Sequence, residues 1–137
     1  MDRLPSRVNL AFKGFDINTI ICPICYVGGD SRDHTFIFCY VANMIWRRIR
    51  VWTAVTWPTI ITVEDFFIWM DSYTGSTSNK VRLYSIVAAC LWWIWRYRND
   101  TLHENGAIKE RDLFDKIRLS SFSWLQARSK LAPTWNT

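Results

Sequence analysis

Four side chains that can bind a metal ion lie close together near the start of the chain: Cys22, Cys25, His34 and Cys39. Three thiolates and one imidazole form a tetrahedral shell that suits Zn²⁺ and leaves no position open for water, and closed shells of this kind are structural rather than catalytic. The two-residue gap between Cys22 and Cys25 lets both sulfurs reach one ion from a single turn, and Pro23 stiffens that turn by fixing its backbone angle. The pattern therefore predicts one structural zinc ion.

The spacing between His34 and Cys39 predicts a local break in helical geometry. At roughly 100° per residue, two side chains five positions apart on an ideal α-helix point about 140° away from each other. We therefore expect a short helical turn over His34–Phe38, a kink at Cys39 and a new helix beyond it. Phe36 and Phe38 are expected to pack beneath the site.

Two other interpretations of these residues are open. The four side chains could be scattered thiols beside an ordinary surface histidine, although this spacing would then be accidental. Alternatively, Cys-Pro-Ile-Cys could be a thioredoxin-like redox pair, but that fold requires a βαβ framework and the sequence pattern is mostly helical. Because zinc binding in small sites supplies on the order of 10 to 16 kcal/mol, we expect metal removal to unfold residues 15–45 first.

The composition limits the classes of protein to which the chain can belong. Its 137 residues, half of them hydrophobic, favour one compact core. The longest apolar run, residues 86–95, is about half the roughly 20 residues that a membrane-spanning helix needs, so no transmembrane segment is expected. The first residues show no secretory signal, and cysteines clustered beside a histidine indicate a reducing, intracellular location, either nuclear or cytoplasmic. A net charge of +5 permits attraction to nucleic acid.

The spacing of apolar residues predicts a mainly α-helical chain. The predicted helices cover residues 6–13 over the zinc site, 41–52 with one basic side, a segment capped by Thr62, 80 to about 102 with apolar residues nearly all round, and about 109–130. A loop is expected at 73–79. Residues 53–61, rich in β-branched side chains and carrying Pro58, are expected to form an extended linker. The predicted fold is thus a small zinc-stabilised module with a Cys-Cys-His-Cys ligand set, residues 1–52, followed by a helical tail, residues 62–137, that packs as a small bundle.

A set of motifs within about residues 3–52 resembles a known module. The motifs are Leu4-Pro5-Ser6-Arg7, Asn9-Leu10, Gly14, Cys22-Pro23-x-Cys25, His34-x-Phe36-x-Phe38-Cys39 and Trp46. Together they resemble the plant reverse transcriptase zinc-binding domain, which occurs near the C-terminus of non-LTR retrotransposon polyproteins. A later segment resembles the helical tail that follows this domain in many plant copies, and it reads Trp92-Trp93-Ile94-Trp95-Arg96-x-Arg98-Asn99.

The resemblance implies a ligand set and a function. It implies that Cys22, Cys25, His34 and Cys39 bind the zinc ion, and that the domain assists reverse transcription by contacting the element's RNA or its target DNA. The parent reverse transcriptase is a further implied partner. The paired metal-binding aspartates of the polymerase, expected in a Tyr/Phe-Ala-Asp-Asp type motif, have no counterpart in this chain, so we expect no enzymatic activity. The start at Met1, directly before the module, favours the alternative of an inactive, truncated relic.

Basic and aromatic residues occur together in two segments and suggest where nucleic acid would bind. The candidate arginines are Arg47, Arg48, Arg50, Arg96 and Arg98, which lie beside Trp46, Trp52, Trp92 and Trp95. Such tryptophans could stack on unpaired bases. Alternatively, the tryptophans are core residues and the arginines line the solvated sides of amphipathic helices, which is the commoner arrangement. A zinc-stabilised protein-interaction module is therefore the second function class.

Three further features are expected to be structural. Basic residues of the last predicted helix alternate with acidic ones and are expected to form a solvated face. His103 has no nucleophile or second carboxylate arranged with it and is expected to be a surface or capping residue. Cys90, in an apolar run, is expected to be a small buried hydrophobic residue.

Overall fold

The computed structural model describes residues 20–131, with side chains to residue 128, so the helix predicted at 6–13 and the motifs before residue 20 lie outside the described residues. Within that region the chain forms four α-helices, one π-helical turn and one 3-10 turn. These are the π turn His34–Phe38, α1 Tyr40–Thr53, α2 Val63–Ser72, α3 Thr77–Leu102, the 3-10 turn Glu110–Asp112 and α4 Leu113–Leu131. The predicted mainly helical class, with a cysteine and histidine cluster preceding the helices, is confirmed.

Side-chain caps fix where α2 and α3 begin. The Asp65 carboxylate accepts a hydrogen bond from the backbone N–H of Thr62 at 3.0 Å, at the helix start that the sequence predicts. At α3, the hydroxyl of Ser76 accepts from the backbone N–H of Asn79 at 3.1 Å. Because of this cap, α3 begins three residues earlier than predicted and the preceding loop is correspondingly shorter.

Helix α3 lies at the centre of the helical part and packs most extensively against α4. The buried apolar residues of the two helices are Leu83, Val87, Ala89, Cys90, Ile94, Leu113 and Ile117. Cys90 is fully buried and His103 is the exposed C-cap of α3, so both structural predictions are confirmed. None of the helices within residues 20–131 combines the length and the apolar character required to cross a membrane.

The predicted linker carries no helix or strand over residues 55–61, yet it is packed against the helices. The ring of Trp57 lies 5.9 Å from that of Trp46 in α1 and 4.4 Å from that of Trp69 in α2, measured between centroids. Offset aromatic contacts at these distances are favourable. The linker is therefore held in place by α1 and α2.

Residues 30–33, Asp-Ser-Arg-Asp, form a connecting segment between the first and second pairs of candidate ligands. Arg32 pairs with the Glu64 carboxylate of α2 at 2.7 Å. The side chain of Asp33 accepts from the backbone N–H of Val63, the first residue of α2, at 3.1 Å. An acceptor at this position satisfies an amide that has no partner within the helix. The connecting segment thus fixes the start of α2 beside the candidate ligands.

Candidate metal centre

Cys22 and Cys25 lie in a tight turn that backbone hydrogen bonds close. The N–H of Cys22 donates to the carbonyl of Gly28 at 2.8 Å, and the N–H of Tyr26 donates to the carbonyl of Cys22 at 3.1 Å. Tyr26 has a φ of 58°, in the left-handed region, which reverses the chain after Cys25. An isolated antiparallel bridge between residues 21 and 29 sits at the base of the turn. Both sulfurs are therefore carried by one short loop, as their spacing predicts.

His34 and Cys39 occupy the two ends of the π turn. The hydroxyl of Ser31 accepts from the N–H of His34 at 3.1 Å where the turn begins. At its end, the N–H of Cys39 donates to the carbonyl of His34 at 2.7 Å, across five residues rather than four. Cys39 has φ −58° and ψ 144°, and α1 begins at the next residue. The predicted turn and the predicted kink at Cys39 are both confirmed.

The structure brings the four predicted ligands together. One candidate ligand atom from each of Cys22, Cys25, His34 and Cys39 lies within 4.8 Å of the others. The Sγ of Cys25 is 3.3 Å from Nε2 of His34, so Nε2 is the ring nitrogen that faces the cluster. In a tetrahedral site with metal–sulfur bonds of about 2.3 Å, sulfur ligands are about 3.8 Å apart. The donor set and its spacing therefore fit one four-coordinate metal ion.

The thiols of Cys22 and Cys39 are coupled by a hydrogen bond. This bond is the main reason that the pKa of Cys22 is lowered to about 5, against the opposing effect of burial, and the backbone N–H groups of Cys25 and Ile24 contribute. The same bond is the main reason that the pKa of Cys39 is raised, and burial adds to it. One sulfur is thus ready to bind a cation as a thiolate, whereas the other must first release a proton.

Gly28 leaves room for the imidazole of His34. A β-carbon at position 28 would lie 2.4 Å from Cε1 and 2.6 Å from Nδ1 of His34, far inside van der Waals contact. Because glycine has no side chain, the backbone at Gly28 can lie directly against the His34 ring and hold the ring in position. Spacing rules identify Gly28 only as a loop residue and miss this role. The only feature of the sequence that points to this role is the position of Gly28 between the cysteine pair and His34.

Phe36 anchors the π turn in the core. Its ring centroid is 6.0 Å from that of Trp95 in α3, and its carbonyl accepts from Nε1 of Trp46 at 2.7 Å. Phe38 is 56 % exposed, so the prediction that it packs beneath the site is wrong, because residues two apart on a helical turn face different sides. Trp46 is only 5 % exposed and is a core residue, not a surface for base stacking.

Arg98 is buried and pairs with Asp30 of the connecting segment. Its Nε donates to Oδ1 of Asp30 at 3.2 Å and its Nη2 donates to Oδ2. Arg98 is 1 % exposed because it continues the buried stripe of Cys90 and Ile94 along α3. The prediction that Arg98 contacts nucleic acid from the surface is therefore wrong. Its partner lies 68 positions away, a pairing that helical spacing does not reveal.

The other four predicted nucleic-acid contacts are exposed: Arg47, Arg48, Arg50 and Arg96. The first three share α1, a helix that contains no Asp or Glu. Arg96 lies on α3, with its guanidinium carbon 5.4 Å from the ring centroid of Trp93. The helix that follows the cluster therefore carries exposed positive charge and no acidic residue of its own.

No family model, no curated protein and no solved structure matches this chain. Among the described residues, the cluster of four potential metal ligands is the best-defined candidate site.

Proposed function

We propose that this chain is a non-catalytic, zinc-stabilised module of a retrotransposon reverse transcriptase protein, which assists RNA-templated DNA synthesis by binding element RNA or target DNA. The observation that carries the proposal is the cluster of four ligand atoms within 4.8 Å of one another. Three thiolates with one imidazole favour zinc over the harder cations, and a shell filled by protein side chains has a structural role.

Several of the residues that carry the resemblance build this site. Within the described part of the resemblance, four side chains are the candidate ligands. Phe36 and Trp46, which also belong to it, hold the π turn through the indole-to-carbonyl hydrogen bond of 2.7 Å. The resemblance thus includes both the four candidate ligands and two residues that hold the π turn in place. This favours a zinc-binding module of the same kind over an accidental set of cysteines.

The exposed face of α1 supports nucleic acid as the partner. Arg47, Arg48 and Arg50 place three positive charges on a helix without acidic residues. Guanidinium groups recognise phosphates well, because their planar array of donors matches phosphate oxygens. Arg96, on α3, adds one more exposed positive charge that could contact a phosphate.

The experiment is a filter-binding titration of the zinc-loaded chain with single-stranded RNA at several salt concentrations. Phosphate contacts make the logarithm of the affinity fall linearly with the logarithm of salt concentration. Replacing Arg47 and Arg48 together by Ala should reduce this slope by about 1.4, at roughly 0.7 for each phosphate contact on a single strand. The matched control replaces Lys109 and Arg128, two other exposed cations, and should leave the slope unchanged.

A second candidate function is protein docking, supported by exposed apolar side chains at α2. Ile61 is 59 % exposed and Ile68 is 65 % exposed, with Phe67 beside them. Exposed large apolar side chains, where they form a contiguous patch, mark interaction surfaces in other proteins. Absent or salt-independent RNA binding would favour this function, with the parent reverse transcriptase as the partner to test.

A further inference from the structure

A cavity of about 400 Å³ opens at the surface between α1 and α4. Its lining consists of Arg47, Arg48, Val51, Trp52 and Phe114. The volume lies in the range of small-ligand sites, which is about 300 to 1,000 Å³. The cavity thus has apolar and aromatic walls, with two guanidinium groups of the basic α1 face beside them.

Of the two aromatic walls of this cavity, Phe114 already contacts planar cations. The rings of Trp52 and Phe114 meet edge to face, with centroids 6.1 Å apart. The guanidinium carbon of Arg48 lies 4.8 Å from the centroid of Phe114, and that of Arg118 lies 5.0 Å from it. A flat ligand group would therefore compete with these two guanidinium groups for the Phe114 ring.

Within the described part of the chain, the two arginines on the α1 side of the cavity have no acidic partner. Arg118 is paired with Asp115 at 2.6 Å. For Arg47 and Arg48, by contrast, no acidic partner lies within ion-pair distance among the side chains of residues 20–128. An anionic ligand therefore gains attraction from these two arginines without displacing a carboxylate.

We propose that this cavity binds one unpaired base of a single-stranded nucleic acid, with the base against Trp52 and Phe114 and one neighbouring phosphate on each of Arg47 and Arg48. The proposal rests on the proposed nucleic-acid function and assigns it a site. A base is flat and apolar on its faces and is joined to an anion, which matches the apolar walls and the arginines together. Duplex bases are stacked on their neighbours and cannot enter, so a single strand is required.

Affinity measurements test the aromatic wall. Phe114→Leu keeps an apolar side chain but removes the ring, and it should weaken binding of a single-stranded RNA oligonucleotide about tenfold, as for one lost stacking contact. Its salt slope should not change, because no phosphate contact is lost. Arg48→Gln should instead lower the slope by about 0.7. The matched control is Phe122→Leu, since Phe122 lies exposed on the same helix and does not line this cavity.

Crosslinking locates the base independently of any substitution. The zinc-loaded full chain is irradiated with oligonucleotides carrying 4-thiouridine in RNA or 4-thiothymidine in DNA, and the modified residue is identified by mass spectrometry. A crosslink at Trp52 or Phe114 with either strand supports the site, and the two arms show which sugar is preferred. Crosslinks found only elsewhere overturn it.

The outcomes separate this proposal from the one on which it rests. If the unsubstituted chain binds RNA in a salt-dependent manner but Phe114→Leu and Phe122→Leu behave alike, the base site is wrong and the proposed function stands. If the unsubstituted chain does not bind single strands, the base site fails, and if it does not bind duplex DNA either, the proposed function fails as well. If an acidic peptide displaces RNA and depends on Phe114 to the same extent, the cavity is a protein-docking site and the base site is overturned.

Discussion

The backbone N–H of Cys39 donates to the carbonyl oxygen of His34 at 2.7 Å, so two candidate ligands are also the two ends of one π-type hydrogen bond. A hydrogen bond across five residues widens the turn and brings positions i and i+5 one turn apart. On an α-helix, His34 and Cys39 would point in different directions, whereas on this wider turn the same five-residue spacing lets both side chains face one metal ion. The backbone itself therefore aligns the imidazole with the last thiol.

Metal removal should loosen the ligand region before the helices. Hydrogen exchange followed by mass spectrometry, with and without a zinc chelator, should show that amides of residues 20–45 lose protection first, because their structure depends on the ion more than on packing. Cys25→Ser should abolish stoichiometric zinc binding, whereas Cys90→Ala, at a buried thiol outside the cluster, should retain one zinc per chain. Equal loss of protection along α3 and α4 would contradict this order.

Gly28→Ala should weaken zinc binding, because the new β-carbon would overlap the imidazole of His34 and turn it away from the cluster. Residues that orient metal ligands typically change affinity by about 10-fold to 100-fold, and a competition titration with a chromophoric chelator measures this. Gly106→Ala is the matched control. Gly106 has a φ of 64° and nothing within 4 Å of the added carbon, so this change should cost roughly 1 to 2 kcal/mol of stability without altering zinc affinity.

Arg98→Met should strongly destabilise the zinc-loaded chain, because it leaves the Asp30 carboxylate buried without its cation. Breaking one side of a buried ion pair costs about 3 to 5 kcal/mol, measurable by urea unfolding. Adding Asp30→Asn to Arg98→Met should recover part of that loss. Arg96→Met, an exposed arginine two positions away, should change stability by less than about 0.5 kcal/mol. Equal effects at positions 96 and 98 would rule out the pair as a source of stability.

The ligand cluster and most of the helices can be predicted from residue types and spacing within short segments. Contacts between segments that are distant in the sequence cannot. The ligand types, the kink at Cys39 and the cap at Thr62 are each encoded within about six residues. Arg98 illustrates the limit, because a charged residue on a helix is normally placed at the surface until a partner is known. Nothing in the spacing around α3 points to Asp30. The close approach of Gly28 to the imidazole is likewise a contact in space rather than a motif.

Zinc affinity should fall as the pH is lowered. The lowered pKa of Cys22, about 5, leaves this thiol ionised at neutral pH, but the raised pKa of Cys39 keeps its proton until a metal displaces it. Binding therefore releases at least one proton, and affinity is gained as pH rises and lost by about tenfold per unit for each proton as pH falls. Calorimetric titrations in buffers of different ionisation enthalpy measure the number released. A value of zero at pH 7 would contradict the assignment.

The connecting segment determines whether the N-terminal part of this chain can be moved into another protein. Asp30 and Asp33 bind partners in α3 and α2, so a cut within residues 55–61 would remove the arginine that pairs with Asp30 and the helix start to which Asp33 is bound. A transplanted fragment ending near residue 54 would keep every ligand and still lack the scaffold against which they are aligned. The smallest portable unit therefore includes α3 and also α4, against which α3 packs most extensively, and a fusion or a minimal expression fragment should be designed to that limit.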